Sequence, residues 1–474
     1  MKKKVPVEKG HTYRIHIDRL GTSAEGVGRV EGFTVFVPDA LPGEDVEAQV
    51  LEVKKTYARA KLAKVLKASK DRAKPPCPIY FECGGCQLQH LSYEAQLKAK
   101  RQQVIDAVSR IGKRPDLFVH ETLGAVHPWN YRNKMQFPVG REKGRRGNAI
   151  IGCFASGSHR IIDTHDCRIQ AEGNNLILNA VRDVVNELHI SVYDEDRHTG
   201  VLRHVMGRVG EKGDLMVCLV TAVQQLPHER EVIKLLRQKL PDMVSLQQNI
   251  QTYHNNVILG RETRLLWGRP TILDRIGRLD FHISPRSFFQ VNTEQAEVLY
   301  SKALEYANLQ GEETVIDAYC GTGTITLFLA RHAREVIGIE IVKPAIQDAE
   351  KNARDNGVKN ATFMVGDATE VMPRLYRQGV RADVVVVDPP RAGCTPTVLE
   401  TFASMQPQRI VYVSCNPASL ARDIAILETL GYTAKEVQPV DMFPMTSHVE
   451  VCLELVRADL LEKEKAEKAK KEKK

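Results

Sequence analysis

Two groups in this chain have the types and spacing to do chemistry together: a cysteine where one strand-like run stops, and a glycine-rich turn where another does. Cys415 follows Ile410-Val411-Tyr412-Val413-Ser414 and precedes Asn416-Pro417. An apolar, β-branched run that meets an amide and a proline predicts a thiol at the carboxyl end of a buried strand. In open α/β sheets ligands bind at that edge, and thiolate is a strong nucleophile at neutral pH. A buried structural cysteine is the competing reading, because free cysteine is among the most buried residue types. The break immediately after Cys415 favours the nucleophile.

The turn is Asp317-Ala318-Tyr319-Cys320-Gly321-Thr322-Gly323-Thr324, between a strand pattern over Glu313 to Ile316 and a helix start. Gly321 and Gly323 lack the third glycine of a dinucleotide fingerprint. Glu340 ends the next strand pattern 17 residues after Gly323, where a carboxylate can accept bonds from ribose hydroxyls. Asp367 ends the following one and suits an adenine amino group. There is no Gly-Lys-Ser/Thr, which excludes a phosphate-cradling loop. The set fits S-adenosylmethionine better than NAD or ATP. With Cys415 in the same sheet, it suggests group transfer to a poorly reactive carbon.

A third feature is C-x5-C-x2-C, formed by Cys77, Cys83 and Cys86 with Gly84 and Gly85 between the last two. Glycines let neighbouring thiolates turn toward one centre. Cys167, in Thr164-His165-Asp166-Cys167-Arg168, is the best fourth ligand by its surroundings. Four cysteines suit zinc or an iron–sulfur cluster. The missing second C-x2-4-C knuckle tilts the choice slightly to iron–sulfur.

The elements that must position these groups follow from the pattern. Residues 5 to 68 read as about five short strands punctuated by glycine, an OB-like barrel. Lys54, Lys55, Tyr57, Arg59, Lys61 and Lys64 mix cations with an aromatic, as single-strand binders do, although a solvated polar face has the same composition. Lys67 to Pro76 reads as a linker and Tyr93 to Ile111 as a helix. The stretch from 117 to 280 reads as strand-rich with one clear helix, Glu172 to Leu188. From 281 onward strands and helices alternate, which predicts a parallel, doubly wound sheet. Lys463 to Lys474 is a low-complexity tail.

A chain of 474 residues predicts about three domains. The formal charge of +8 fits a polyanionic partner without requiring one. No apolar run approaches a membrane span, and Met1-Lys2-Lys3-Lys4 leads into no apolar signal segment, so the expectation is a cytoplasmic protein with no membrane partner. Its ten cysteines are then ligands, catalytic groups or buried thiols rather than disulfides.

Taken together, the segments resemble the RNA uracil-5-methyltransferase family, in its iron–sulfur ribosomal RNA branch with an N-terminal TRAM domain. The resemblance rests on Cys77-Pro78 and Cys83 to His90, Tyr131-Arg132-Asn133-Lys134, Thr199 to His204, Ser287 to Asn292, Asp317 to Thr324, Asp388-Pro389-Pro390-Arg391, Ser414 to Pro417 and His448-Val449-Glu450. It implies a TRAM barrel over residues 1–68 and a central iron–sulfur, RNA-binding domain over 69–280, with helix 93–111 against the catalytic part. A Rossmann-like methyltransferase domain over 281–458 and a lysine-rich tail over 459–474 complete it. It implies a [4Fe-4S] cluster at Cys77, Cys83, Cys86 and Cys167. S-adenosylmethionine contacts would come from Gln290, Tyr319, Glu340 and Asp388, with Asp367 added. Cys415 would be the nucleophile, Glu450 the base and Phe288 the aromatic beside a flipped uracil. The implied reaction is C5 methylation of uridine in 23S ribosomal RNA, at one or more sites, by a monomer.

Three other readings compete. Some cluster-bearing relatives act on the tRNA T-loop. Radical S-adenosylmethionine enzymes of tRNA also carry TRAM domains, but need C-x3-C-x2-C. A non-catalytic RNA-binding assembly factor would not need Cys415, Glu450 and the glycine turn intact.

Overall fold

The computed structural model describes residues 5–141 and 148–463; of the tail expected over 459–474, residues 459–463 are helical and 464–474 lie outside the described residues. Strands β1 (Thr12–Leu20), β2 (Gly26–Val30), β3 (Phe33–Val37), β4 (Asp45–Val53) and β5 (Tyr57–Lys67) close a barrel in the order β1-β2-β3-β5-β4. Strand alternation sends Ile15, Ile17, Val35, Val46, Ala58 and Ala60 inside and leaves Arg59 and Lys61 outside. Gly28 is obligatory where two strands cross, because a Cβ there would lie 2.2 Å from the His16 carbonyl oxygen.

The segment after the barrel is anchored, in contrast to the free linker its composition predicts. Arg72 donates to both oxygens of the fully buried Glu44 and to the Asp39 carbonyl. Leu88 and Leu91 complete a small core with Ala24 and Leu41 of the barrel. Helix α1 (Tyr93–Arg110) and the two-residue strand β6 (Phe118–Val119) follow.

The central sheet contains β7 (Lys134–Arg141), β8 (Ala149–Phe154), β9 (Ile161–Asp163), β10 (Leu202–Val209), β11 (Leu215–Thr221), β12 (Met243–Ile250) and β13 (Glu262–Gly268). Their order is β13-β12-β11-β10-β7-β8-β9. Helices α2 (Glu172–Glu187) and α3 (Glu229–Lys239) join this part. Only α2 is expected from the sequence. Helix α3 is short and buries just Val232 and Leu236, yet its acidic first turn and basic last turn carry a helix signal. The hairpin β14 (Ile272–Ile276) and β15 (Leu279–Ile283) packs into the core of the carboxyl-terminal layer.

That layer runs α4 (Thr293–Ala307), β16 (Thr314–Ala318), α5 (Thr324–Ala330), β17 (Glu335–Glu340), α6 (Lys343–Asp355), β18 (Ala361–Val365), α7 (Ala368–Arg377), β19 (Val384–Val387), α8 (Pro396–Met405), β20 (Arg409–Ser414), α9 (Pro417–Thr429), β21 (Tyr432–Val440) and β22 (Glu450–Arg457). The sheet order is β18-β17-β16-β19-β20-β22-β21-β6, and α1 packs on α9. Strands β16 to β20 are parallel, as expected, but β22 is antiparallel to both neighbours. The expectation of a wholly parallel sheet is therefore corrected. Nine residues separate β21 from β22, too few for the crossover a parallel pair needs. No helix among the described residues is long and apolar enough to cross a membrane.

Candidate active site

Strand order reverses between β16 and β19, and a crevice opens beyond their carboxyl ends. After β16 the chain turns through Tyr319, whose φ of 68° is costly for a residue with a Cβ, and Gly321, with φ 55°. The Gly321 amide donates to Glu340 Oε2 at 3.1 Å, and the Val342 amide to Oε1 at 2.9 Å, so the acid at the end of β17 is fixed against the turn. Gly323 sits behind the turn as the N-cap of α5, where a Cβ would press on Ala349 Cβ at 3.0 Å. Asp317 is wholly buried, holds Thr326 Oγ1, and is pushed up to about 7 by burial. Asp367 caps α7 through Oδ1, taking the amide and hydroxyl of Thr369. Burial raises Asp388, after β19, to about 6.

The reversed strand brings the two reactive groups together. Ser414 pairs with Val451, so the first residue of β22, Glu450, lies beside the end of β20 and Cys415. In a parallel strand Glu450 would fall on the opposite edge of the sheet. Asn416 steadies the thiol: its side chain caps α9 at the Ala418 amide and donates to the Arg391 carbonyl at 2.9 Å. Cys415 is half-buried. Burial raises its pKa most, the negative Glu450 and Asp388 add to that, and the Arg391 guanidinium opposes it. Burial also holds Glu450 well above the usual carboxylate range. Its being buried, 8% exposed, is at odds with a solvent-facing acid on a last strand.

One cavity of about 1580 Å³ is lined by Phe288, Gln290, Tyr319, Gly321, Glu340, Asp367, Asp388, Cys415 and Glu450. Phe288 is 68% exposed while Phe289 packs on Phe281 and Ser287 bonds Asp348, so its neighbours hold the Phe288 ring out from the core. The cavity also has two residues to which the sequence assigned no role. Arg391 donates to His448 Nδ1 at 3.2 Å, and both line the wall beside Cys415 and Glu450. Each stood within a motif, but only proximity across the sheet gives it a task.

Cys77, Cys83, Cys86 and Cys167 line the same cavity, joined by Cys153 on β8. The loop carrying Cys83 extends the central sheet: Cys83 bridges Ala155, and the Gly84 amide donates to the Phe154 carbonyl. Cys153 beside Cys83 lowers the Cys83 pKa, whereas burial lifts Cys86 to about 12 and Cys167 to about 11. No spacing rule points to Cys153, because strand pairing alone brings it in. Among the described residues no three His, Cys, Asp or Glu side chains form a compact single-ion site. A cubane distributes its thiolates over separate irons and tolerates wider spacing than one zinc ion.

The cysteine segment is latched to the loop that leads into Glu450. The amides of Gln87 and Leu88 both donate to the Met445 carbonyl at 3.0 Å, and the Ser447 amide donates to Gln87 Oε1. Asp441, at the root of that loop, is buried with Lys100 of α1 and also accepts from the Tyr93 hydroxyl.

The tRNA (Uracil-5-)-methyltransferase family model matches residues 213–458, and the TRAM domain model matches residues 6–63. An uncharacterized RNA methyltransferase of Halalkalibacterium halodurans is 51% identical over 450 residues, covering 95% of this chain and 98% of that one. The chain belongs to the RNA uracil-5-methyltransferase family. Another uncharacterized RNA methyltransferase, from Clostridium tetani, is 50% identical over 96% of this chain and 98% of its own. The Pyrococcus abyssi tRNA (uracil-54, C5)-methyltransferase, solved with S-adenosyl-L-homocysteine, superposes with a TM-score of 0.73 at 28% identity. That match covers 94% of this chain and all of the archaeal one. As a member of this family the protein is an S-adenosylmethionine-dependent RNA methyltransferase with an N-terminal TRAM domain.

Proposed function

We propose that this protein methylates C5 of uridine in 23S ribosomal RNA through a covalent bond from Cys415 to uracil C6. The observation that carries the reading is the pairing of Ser414 with Val451, which sets Glu450 beside Cys415 at the mouth of the cofactor crevice. Glu340 and Asp388 would hold S-adenosylmethionine, which would supply a methyl group on a cationic sulfonium. Uracil C5 is too weak a nucleophile to take that methyl unaided. Cys415 thiolate adds to C6, forming the S–C6 bond and moving electron density onto O4 and C5. C5 would then attack the methyl carbon, the S–CH3 bond would break with its electron pair remaining on sulfur, and S-adenosylhomocysteine would be the leaving group. Glu450 removes the C5 proton, the C5–C6 double bond re-forms, and the Cys415 sulfur leaves. A carboxylate raised by burial is a stronger base for that proton than an ordinary one. The target base is stacked in RNA and must be extruded or presented in a loop, and the exposed Phe288 ring is suited to stack on it.

Cys77, Cys83, Cys86 and Cys167 would hold a [4Fe-4S] cluster. With four protein ligands it leaves no open iron, so its part is to fasten the cysteine segment. Anaerobically purified protein should then contain about four irons per chain, and stoichiometric zinc despite ample iron would overturn that assignment.

The decisive test uses RNA containing 5-fluorouridine, from which the C5 substituent cannot leave as a cation. The parent protein should give a denaturant-stable adduct and Cys415→Ala none; an adduct on Cys415→Ala would overturn the nucleophile. A second reading, the tRNA T-loop, is favoured by the resemblance in fold to the Pyrococcus tRNA enzyme. Mapping 5-methyluridine in ribosomal and transfer RNA with and without the gene separates the two.

A further inference from the structure

Helix α3 carries Arg230, Lys234 and Arg237 at spacings of four and three, which puts all three cations on one helical face. All three are exposed. They line a shallow cavity of about 530 Å³ whose far wall is Trp267 on β13, with the Arg237 guanidinium 4.6 Å above the indole ring. No carboxylate lines this cavity among the described residues; Glu229 is engaged by Arg264, and Lys239 by Asp183. Core packing accounts for one edge of Trp267, since the ring also touches the central core, but not for the Arg237 guanidinium over its face or for Arg230 and Lys234 along the same cavity. A merely solvated helix face would intersperse acids, whereas the two acids of the first turn of α3, Glu229 and Glu231, flank this face on either side and do not fall on it.

We propose that this groove is a second RNA-binding site, which takes the sugar–phosphate backbone of the substrate RNA outside the target loop and stacks one unpaired base on Trp267. The inference rests on the RNA reading of the catalytic cavity and extends it. Cations along a groove that also offers an aromatic face are the combination that binds single strands without reading sequence. Strand β13 is the edge of the central sheet opposite the cysteines, five strand intervals from β8. At about 4.8 Å per interval that is roughly 24 Å. A strand that reaches both the cysteine edge of the catalytic cavity and this groove must therefore extend over several nucleotides. The site would select for large, structured RNA over an isolated hairpin.

The experiment compares binding of deproteinised ribosomal RNA with that of a uridine-containing hairpin only large enough to fill the catalytic cavity. The parent protein should prefer the ribosomal RNA. Arg230→Ala/Lys234→Ala/Arg237→Ala should reduce that preference by about tenfold or more and lower the salt slope by about 0.7 for each single-strand phosphate no longer neutralised. Trp267→Ala should weaken ribosomal RNA binding even at high salt, and Trp267→Phe should restore much of it. An unchanged ratio of the two affinities in the triple variant overturns the site, including the case in which the groove serves a protein partner. Failure of the parent to methylate uridine would instead count against the catalytic reading, and the binding ratio would still decide the groove.

Discussion

Burial raises the Cys415 thiol most, and a charged Glu450 beside it disfavours thiolate further. Glu450→Gln removes that charge while keeping the volume. The pH midpoint for Cys415 alkylation should therefore move down, leaving more thiolate at any pH below it. On ordinary uridine-containing RNA the same variant should accumulate methylated covalent complex, since the proton at C5 has no acceptor. Iodoacetamide kinetics across pH check the first outcome, and an upward or unmoved midpoint would remove Glu450 from the neighbourhood of the thiol. Conversely Arg391→Ala, which deletes the one opposing charge, should move the midpoint up. Cys415 was legible because a strand run and its breaker are both local signals. The arginine, the histidine at 448 and Cys153 were not, because their roles come from neighbours across the sheet that no spacing encodes.

At the scale of elements, the loop from Asp441 to Val449 does most of the positioning. Lys100 and Asp441 are 1% and 0% exposed, and burial lowers the lysine pKa against the pull of its partner. Lys100→Met should cost about 3–5 kcal/mol, because it leaves a buried carboxylate without its cation; urea unfolding measures it. A cost below about 1 kcal/mol would mean that water reaches Asp441. The helix containing Lys100 was readable from its period, but its partner 341 positions later was not. The reversal of β22 had a readable cause in the short connection after β21. It was obscured by the regular alternation of strands and helices before it, which favours continuing a parallel pattern. Strand ends of β17 and β20 fell where expected, since acid and cysteine each mark a stop, whereas β16 runs two residues past Ile316 to Ala318.

For the whole molecule, the barrel is braced against the cysteine segment rather than tethered to it. Deleting residues 1–68 would expose Leu88 and Leu91 and strip Arg72 of its carboxylate, so any loss of RNA binding would be confounded with damage near Cys86. Surface charge variants avoid that. Lys55→Ala/Arg59→Ala/Lys61→Ala/Lys64→Ala should weaken RNA binding and flatten its salt dependence by about 0.7–0.9 per phosphate released, with S-adenosylmethionine affinity unchanged. Equal affinity and slope would show that the outer face of β5 is away from RNA. The barrel itself was legible from glycine punctuation and alternation; its brace was not, because Lys67 to Pro76 has the composition of a free linker. The position of β22 has a consequence for how the protein comes into being. This strand is synthesised after both of the strands it separates, β20 and β21, and the loop before it receives the segment after Cys86. Neither the sheet nor the latch can close until β22 has left the ribosome. A nascent chain without that strand therefore lacks Glu450 beside Cys415, and the pair is assembled only when β22 inserts between its neighbours.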